Sequence, residues 1–532
     1  MVDCQATGAA PSGHLLEIGW ARVRATASHV RSYRIRLPAG VPIPPAVVRV
    51  TGISDRVMRD AVDVSVVARE LAQAAEGLGP PPTPTVIHFA RFEHPFLQSL
   101  VGRAHAFDIV CTHAIACRLL TDLPRRGLRA LAGYFGRGVG PLRRSADHVD
   151  ATAFVWRELI RLLDAEGVST WSELQAWLSA PAPAARRTRR IWPLARATRL
   201  AVPDAPGVYR LLRSSGDVLY VGKAASLHAR VNSYFQQQHG VSERMLELLS
   251  QVRAISFEVS PSALEAALLE PDEIKRQRPP YNIALTDAAD RRLWFSSPEL
   301  TARRTHPSAH CSVGPFPSEE TLDQFAALMR AQPRAIARDR WAPDAATFIA
   351  GFDHFRAAHV GLSDRPFSAQ QLLAVGTKLW RDGRRNREPD GDELEPLRPS
   401  VWTPELVQRA LEDVVLRAAL ARRRASWLCR LMDAAIVWRE RGMPDARLIV
   451  LVNGEIATRA NVGEGTVPPA PPGHGRTRRA RQQALTVARF DRLRVLTTEL
   501  KRLVTGGAMV VVRWSVQRPL EGPRLTLALS WV

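Results

Sequence analysis

The side chains best suited to catalysis lie in one short stretch, between positions 200 and 290. Phosphodiester hydrolysis needs an activated water, charge stabilisation at the phosphate and help for the leaving oxygen. Phenol, ammonium, guanidinium, carboxylate and amide groups can serve these needs. All of them occur here, in the order Tyr209, Tyr220, Lys223, Arg230, Tyr234, Glu265 and Asn282.

The elements that must position these groups can be predicted from the pattern. GVYRLL and VLYVGKA read as two strands of a hairpin, so Tyr209 and Tyr220 could face the same side. SALEAALLEPDEIKRQ reads as a helix with Ser262 as its N-cap and Glu265 in a capping box. The alternative is structural: the tyrosines would only pack, and Glu265 would only cap its helix.

The order of the local strings narrows the choice. PGVY, LYVGKA, RVNSYF, LEAALLE, EIK and RPPYN follow one another over about 85 residues. This stretch (residues 200–290) resembles the GIY-YIG nuclease family, in particular the incision module of the excision-repair protein UvrC and its short homologue Cho. The resemblance implies an endonuclease in which both Tyr209 and Tyr220 are catalytic. Glu265, the only carboxylate at a metal position of the motif, would hold one Mg²⁺ or Mn²⁺ ion.

Each remaining motif residue has an expected role in this site. A tyrosine with a pKa of about 10 needs nearby positive charge before it can act as a base, and Lys223 is expected to supply that charge or to hold the phosphate. Arg230 would clamp phosphate oxygens, Tyr234 would hydrogen-bond into the site and Asn282 would position a tyrosine or the phosphate. The sequence leaves open which tyrosine deprotonates the water.

The first 165 residues carry a second set of chemical residues. VDCQATG, VTGIS, IHFARFEHPFL and HVDATA resemble the motifs of the DnaQ-like (DEDD) 3′–5′ exonucleases, which hold two metals with four carboxylates and use a histidine base. The matching positions are Asp3, Gln5 in place of Glu, Glu93 in place of Asp, and Asp150.

The expected histidine position, five residues before Asp150, is Ser145. His148 stands only two before Asp150, and we expect this offset to direct it away from that position. We therefore predict a degenerate site with absent or weak exonuclease activity. The alternative is a relaxed site in which Glu93 and His148 substitute.

The charge of the chain points to a polyanionic partner, most simply DNA. Lys+Arg is 73 against Asp+Glu 52, a net charge of +21, although an arginine-rich proteome would give the same imbalance. Residues 203–285 are balanced, whereas residues 401–532 carry 22 basic and 11 acidic side chains. The candidate DNA-binding residues form two clusters: Arg422, Arg423 and Arg424, then Arg476, Arg478, Arg479 and Arg481.

The sequence predicts a multidomain α/β and α+β protein. The predicted parts are an RNase H-like exonuclease domain (1–180), a linker (181–200), a small α/β GIY-YIG domain (201–290), a UvrC/Cho-like follow-on region (291–395) and a basic α+β domain (400–532). Within the last part, RLIVLVNGEIATRA reads as a hairpin across Asn453-Gly454. AMVVVRWSVQR and RLTLALSWV read as further strands.

Several classes are excluded at this stage. Five scattered cysteines, with no C-x-x-C pair, argue against disulfides, zinc and an iron–sulfur cluster. No apolar run is long enough to span a membrane, and no signal peptide is evident, so a cytoplasmic protein is expected.

Three functions remain. The first is a metal-dependent endonuclease that nicks one DNA strand in excision-type repair, with other repair proteins as partners. The second is a 3′–5′ exonuclease with a working N-terminal site. The third is a DNA-binding adaptor without catalysis.

Overall fold

Antiparallel strands pair first at the N-terminus, and a parallel pair follows them. The computed structural model of the chain describes residues 1–23, 29–75, 82–102, 107–138, 140–181, 191–236, 240–282, 291–336, 343–359, 367–384 and 401–532. The chain forms two compact units. The first unit contains Met1–Ala266 and Gln277–Ala284. The second unit contains Ala267–Arg276 and Leu285–Val532.

The N-terminal domain occupies residues 1–181 of the first unit. Its strands are β1 (Val2–Ala6), β2 (Leu15–Trp20), β3 (Arg31–Arg34), β4 (Thr83–Ile87) and β5 (Phe107–Cys111). The order β1-β2-β3 is antiparallel, β4 and β5 are parallel, and β4 contacts β1. The helices are α1 (Pro45–Thr51), α2 (Val64–Ala75), α3 (Ala90–Val101), α4 (Thr112–Leu119), α5 (Leu128–Tyr134), α6 (Ser145–Ala165) and α7 (Trp171–Ser179).

Apolar residues at helical spacing place α6 against the sheet of this domain. Val149, Val155 and Leu159 are buried, and the helix packs on β1 and β2. This layering of helices on strands confirms the predicted α/β arrangement.

The nuclease-like domain follows within residues 191–282. Its elements are α8 (Arg196–Leu200), β6 (Gly207–Leu212), β7 (Val218–Ala224), α9 (Leu227–Gln236), α10 (Glu243–Leu249), β8 (Ala254–Val259) and α11 (Ala263–Gln277). The three strands form an antiparallel sheet in the order β7-β6-β8.

The predicted linker at 181–200 is wrong in its second half. Leu194 is buried in the same core as Leu211 and Val231, and Trp192 donates from Nε1 to the Phe235 carbonyl at 3.0 Å. Residues 191–200 therefore belong to the nuclease-like domain because their apolar side chains complete its core. Residues 182–190 lie outside the described part of the chain.

Besides Ala267–Arg276 of α11, the second unit contains a small sheet in the order β10-β9-β11 and the helices that follow it. These elements are β9 (Trp294–Ser296), β10 (Arg303–Arg304), β11 (Val313–Phe316), α12 (Glu320–Met329), α13 (Ala345–Ala358), α14 (Ala369–Arg384) and α15 (Pro404–Leu431). Phe325, Phe352 and Leu372 share one buried core with Leu411 and Val415 of α15. The predicted boundary at 395–400 therefore does not separate two cores, although residues 385–400 themselves lie outside the described ones.

The chain ends in a five-stranded antiparallel sheet in the order β14-β13-β12-β15-β16. Its elements are β12 (Ala434–Arg439), β13 (Ala446–Val452), β14 (Glu455–Val462), α16 (Arg478–Gln483), α17 (Val487–Thr505), β15 (Met509–Arg513), β16 (Leu520–Glu521) and α18 (Gly522–Leu529). The predicted hairpin at Asn453-Gly454 is confirmed, and both turn residues have positive φ, 56° and 75°.

The prediction of a strand for RLTLALSWV is wrong, because this segment forms α18. Pro523 lies at the start of the helix, where its missing N–H costs nothing. Leu525 and Leu529, four residues apart, are both buried, so the alternating leucines serve a helix face instead of a strand face.

Candidate active site

Three tyrosines meet on one face of the β7-β6-β8 sheet. Tyr209 pairs with Gly222 and Tyr220 pairs with Leu211, so the two tyrosines point to the same side. Their ring centroids lie 6.2 Å apart. Helix α9 brings Tyr234 over them, 6.2 Å from Tyr209 and 6.3 Å from Tyr220, and the hydroxyls of Tyr209 and Tyr234 are hydrogen-bonded at 2.6 Å.

Two glycines of the motif make room for this cluster. A Cβ atom at Gly222 would lie 2.4 Å from the Tyr209 hydroxyl oxygen, and one at Gly207 would lie 2.3 Å from the Glu258 carbonyl oxygen. Both distances are far below van der Waals contact. Gly222 therefore allows the Tyr209 side chain to lie across β7, and Gly207 allows β6 to approach β8.

The environment of Tyr209 keeps its hydroxyl protonated. The side chain is fully buried, and burial raises its pKa well above 10, with Tyr234 and Tyr220 adding to the rise. The Arg230 guanidinium, 5.0 Å from the Tyr234 ring, acts in the opposite direction but does not outweigh burial. Further positive charge would be needed to ionise Tyr209.

Asn282 is tied to the strand that carries Tyr220. Its Oδ1 accepts from the Val221 N–H at 3.0 Å, and its Nδ2 donates to the Val221 carbonyl at 2.9 Å. The preceding residue, Tyr281, donates its backbone N–H to the Leu219 carbonyl at 3.1 Å. The Asn282 amide thus holds β7 in place next to Tyr220.

Lys223 lies at the end of β7, opposite Val208 of β6. Because strand side chains alternate, an offset of three residues directs Lys223 to the face opposite Tyr220. A spacing of three residues on a strand therefore does not bring the Lys223 ammonium beside Tyr220, contrary to the expectation from the sequence.

Glu265 occupies the first turn of α11 and is only 1% exposed. Its backbone N–H donates to Ser262 Oγ at 3.2 Å, so Ser262 starts the helix as the pattern predicted. A buried carboxylate oxygen is a ligand that Mg²⁺ and Mn²⁺ prefer. Among the residues that the structure describes, no group of three or more His, Cys, Asp or Glu is arranged to hold a metal. A single carboxylate can bind such an ion when water and phosphate supply the remaining ligands.

The N-terminal domain brings Asp3 of β1, Glu93 of α3 and His148 of α6 together. His148 Nδ1 lies 3.2 Å from Asp3 Oδ1, and Gln5 Nε2 donates to Asp3 Oδ2 at 2.9 Å. Burial raises the pKa of Asp3 although His148 and Gln5 act to lower it. Burial also raises the pKa of Glu93 well above its usual range, and the Asp3 charge adds to that rise.

Two expectations about this site need correction. His148 does not point away, because it stands three residues after Ser145 and so lies on the same face of α6. Asp150 lies on another face: its side chain is 57% exposed and pairs with Arg137. The cluster that the structure shows contains Asp3, Gln5, Glu93 and His148, without Asp150.

The predicted DNA-binding arginines divide into two groups. Four make contacts within the second unit, at Trp531, Val532 or Asp433. Arg423 lies 3.6 Å from the Trp531 ring, Arg424 Nε donates to the Val532 carbonyl at 2.6 Å, Arg481 pairs with Asp433 at 2.9 Å, and Arg476 approaches the same carboxylate at 3.9 Å. The other three, Arg422, Arg478 and Arg479, are exposed.

Sequence reasoning missed a polar network beside the tyrosine cluster. It consists of Glu247, Gln251 and Tyr281 of the nuclease-like domain, with Arg129 of the N-terminal domain. The only signal was the position of Tyr281 directly before Asn282 in the RPPYN string.

Comparison with known proteins identifies the central domain. Residues 205–283 match the UvrC-like GIY-YIG domain family. Fold and site together therefore define a GIY-YIG domain in this part of the chain. Within that class it is of the UvrC-like type, as predicted.

The similarity to individual proteins covers different lengths. A Mycobacterium tuberculosis protein named as a bifunctional exonuclease/endonuclease is 31% identical over 353 residues, which is 62% of this chain and 51% of that protein. The UvrABC system protein C of Legionella pneumophila is 52% identical over 87 residues, 16% of this chain and 14% of that protein. This chain thus spans about half the length of the first relative.

A solved structure is similar to the same domain. The N-terminal GIY-YIG endonuclease domain of UvrC from Thermotoga maritima, bound to its catalytic magnesium, is 33% identical. The match covers 16% of this chain and 94% of that one, with a TM-score of 0.15.

Among the described residues of the present chain, no helix is both long and apolar enough to cross a membrane.

Proposed function

We propose that this chain is a metal-dependent DNA endonuclease that nicks one strand by phosphodiester hydrolysis in nucleotide excision-type repair. The observation that carries the proposal is the cluster of Tyr209, Tyr220 and Tyr234 in a UvrC-like GIY-YIG domain. Such a role would place the protein with DNA in the cytoplasm and would give it other excision-repair proteins as partners.

The residues divide the chemistry between them. Tyr220 is only partly buried and can reach a water molecule. We therefore propose that Tyr220, in its phenolate form, is the base that accepts a proton from the attacking water. Tyr209 is fully buried and stays a phenol. Its hydroxyl is hydrogen-bonded to the Tyr234 hydroxyl, and this bond holds the two side chains together. Arg230, stacked near Tyr234, supplies a forked donor for phosphate oxygens.

Glu265 would hold the divalent cation, Mg²⁺ or Mn²⁺. When bound, such an ion withdraws charge from the phosphate and lowers the pKa of nearby groups. Asn282 makes two hydrogen bonds to the backbone of Val221. These bonds hold β7, and therefore Tyr220, in position beside the site. Because Lys223 lies on the other face of β7, we propose that it contacts a DNA phosphate other than the scissile one.

DNA contact away from the scissile bond is assigned to the second unit. Arg422, Arg478 and Arg479 are exposed, and we propose that they bind backbone phosphates without sequence preference. Arg423, Arg424, Arg476 and Arg481 remain candidates, but their contacts with Trp531, Val532 and Asp433 would have to be exchanged or shared.

A second candidate function is 3′–5′ exonuclease activity of the N-terminal domain. The observation that favours it is the approach of His148 to Asp3 beside Glu93. Two metals need several negative ligands, and here Gln5 replaces one carboxylate while Asp150 pairs with Arg137. We therefore propose that this activity is absent or weak.

Plasmid nicking tests the endonuclease proposal. Supercoiled DNA, with and without ultraviolet damage, is incubated with the full chain in Mg²⁺ or Mn²⁺. We expect conversion to the open circle, a loss of at least about 100-fold in Glu265→Gln and no loss in Glu258→Gln, an exposed carboxylate of β8. No nicking by the parent on either substrate, or equal nicking by Glu265→Gln, would contradict the proposal.

A further inference from the structure

The N-terminal domain and the nuclease-like domain meet in the first unit through α5 and α10. Arg129 Nη1 lies 3.2 Å from Glu247 Oε1, and both side chains are about one-quarter exposed or less, at 20% and 26%. The Arg129 guanidinium also lies 5.0 Å from the Tyr281 ring. One arginine of the N-terminal domain thus contacts both a carboxylate and an aromatic ring of its neighbour.

The contact is part of a closed polar network. The Tyr281 hydroxyl donates to Glu247 Oε1 and accepts from Gln251 Nε2, the latter at 2.6 Å. Gln251 Oε1 in turn accepts from Arg213 Nη2 at 3.1 Å. Gln251 and Tyr281 are 1% and 4% exposed, so the hydrogen bonds are screened from water and hold the Tyr281 side chain in one position.

The N-terminal domain is shaped to fit this network. A Cβ atom at Gly133 of α5 would lie 1.8 Å from Gln251 Oε1. Gln251 cannot move aside without breaking its bonds to Tyr281 or Arg213. The absence of a side chain at position 133 is therefore needed for α5 to pack here.

The network continues to the proposed active site through the backbone. Tyr281 donates its N–H to the Leu219 carbonyl, and the next residue, Asn282, makes two hydrogen bonds to Val221. Leu219 and Val221 flank Tyr220 on β7. A displacement of Tyr281 would therefore shift the strand position from which Tyr220 reaches the site.

We propose that the N-terminal domain is a fixed part of the endonuclease and that Arg129 is a positioning residue for Tyr220, acting through Tyr281 and Asn282. This inference rests on the proposed function for its kinetic consequence but not for its structural one. The degenerate exonuclease-like domain then has a role that needs no chemistry of its own: it braces the strand that carries a catalytic tyrosine.

The decisive variant is Arg129→Ala in the full chain. We expect kcat for Mg²⁺-dependent nicking to fall about tenfold while KM for DNA stays within about twofold, because misplacement of a catalytic group lowers the rate of the bound complex. Gly133→Ala should act in the same direction by pushing Gln251 from its position. Arg129→Lys, which keeps the charge, should recover part of the rate.

Arg125→Ala is the matched control. Arg125 pairs with Glu243 of the same helix α10 at 2.8 Å, but both side chains are more exposed, at 43% and 70%, and they lie outside the Tyr281 network. This variant removes an interdomain ion pair of the same chemical type and should leave kcat unchanged. Equal loss in Arg125→Ala and Arg129→Ala would overturn the positioning role.

Hydrogen exchange gives a readout that needs no catalysis. The Val221 amide donates to Asn282 Oδ1, and the Tyr281 amide donates to the Leu219 carbonyl. Both should exchange faster in Arg129→Ala than in Arg125→Ala, with amides of the β1–β2 ladder unchanged. Unchanged exchange at these two sites, or a rise in KM alone, would refute the inference. If the parent does not nick DNA, the proposed function fails, and exchange alone decides the structural inference.

Discussion

At the residue scale, the tyrosine cluster separates two side chains of the same type by burial. Tyr209 is fully enclosed, and its hydroxyl is bound by Tyr234, whereas Tyr220 is partly open. Burial raises the pKa of Tyr209, so this phenol remains protonated in the resting protein. The division of roles in the proposed reaction follows from this difference.

A tyrosine titration tests that difference. The raised pKa means that Tyr209 contributes no phenolate at pH values near 10, where an ordinary tyrosine is half ionised. Tyr209→Phe should therefore leave the rise in phenolate absorbance around that pH unchanged while the protein is folded, as monitored by circular dichroism. A smaller absorbance step in the variant would show that Tyr209 ionises normally.

Residue identities could be predicted here because each motif position needs one chemical type, but their directions could not. Lys223 faces away from Tyr220 because of strand alternation, and His148 faces Asp3 because of its helical offset from Ser145. Both outcomes depend on where an element begins and on its pairing register. Neither is visible in a count of residues between motifs.

At the element scale, α17 is held by charges at its first turns. Asp491 is 1% exposed and accepts hydrogen bonds from Lys275 and Arg291, both at 3.0 Å. Arg492 pairs with Asp272 at 2.8 Å and also with Glu455. Removing one partner of such a buried ion pair leaves an uncompensated charge in the interior, which strongly destabilises the folded state.

Asp491→Ala should consequently destabilise the second unit. The substitution leaves Lys275 and Arg291 without their common acceptor, which costs about 3 kcal/mol of the free energy of unfolding. Urea denaturation measures the change. Glu464→Ala, which removes the exposed Arg439–Glu464 pair, is the control and should cost about 1 kcal/mol or less. Similar losses in the two variants would contradict the assignment of Asp491 as a structural centre.

Elements with strong local signals were predictable, and elements fixed by tertiary packing were not. The Asn453-Gly454 turn has positive φ at both residues. Because Asn-Gly is the pair that such two-residue turns prefer, the sequence predicts the hairpin. The segment that forms α18 alternates like a strand, yet its Leu525 and Leu529 are buried on one helix face. Either a strand or a helix could bury some of these leucines, so the sequence pattern alone does not decide between them. The packing of the segment against the rest of the second unit determines that it forms a helix.

At the scale of the whole molecule, the N-terminal domain and the nuclease-like domain share one chain, and single substitutions test their proposed roles separately. Asp3→Asn should leave both plasmid nicking and the length of a linear, end-labelled single strand unchanged, because the N-terminal site lacks two of the expected carboxylate positions. Glu265→Gln should remove nicking alone. Stepwise shortening of the labelled strand by the parent, lost in Asp3→Asn, would instead establish an active exonuclease.

The central GIY-YIG domain could be predicted from the motif strings, because these strings lie within residues 205–283, which match that family. The boundaries could not. α15 shares its core with residues before position 395, and Leu194 shares its core with residues after 200. Residues 191–200 look like a connection because they follow an arginine-rich segment, and α15 looks like the start of a separate domain. Only their packing partners show where they belong.

The packing of residues 191–200 has a consequence for how such proteins can be assembled from parts. If the nuclease-like module were moved between genes with a junction at position 200, it would lose Trp192 and Leu194 and open its own core. A junction before position 191 would preserve that core but would still leave Glu247 and Tyr281 without Arg129. We therefore expect the two domains to be inherited together. Substitutions on one side of their interface should be accompanied by substitutions on the other side.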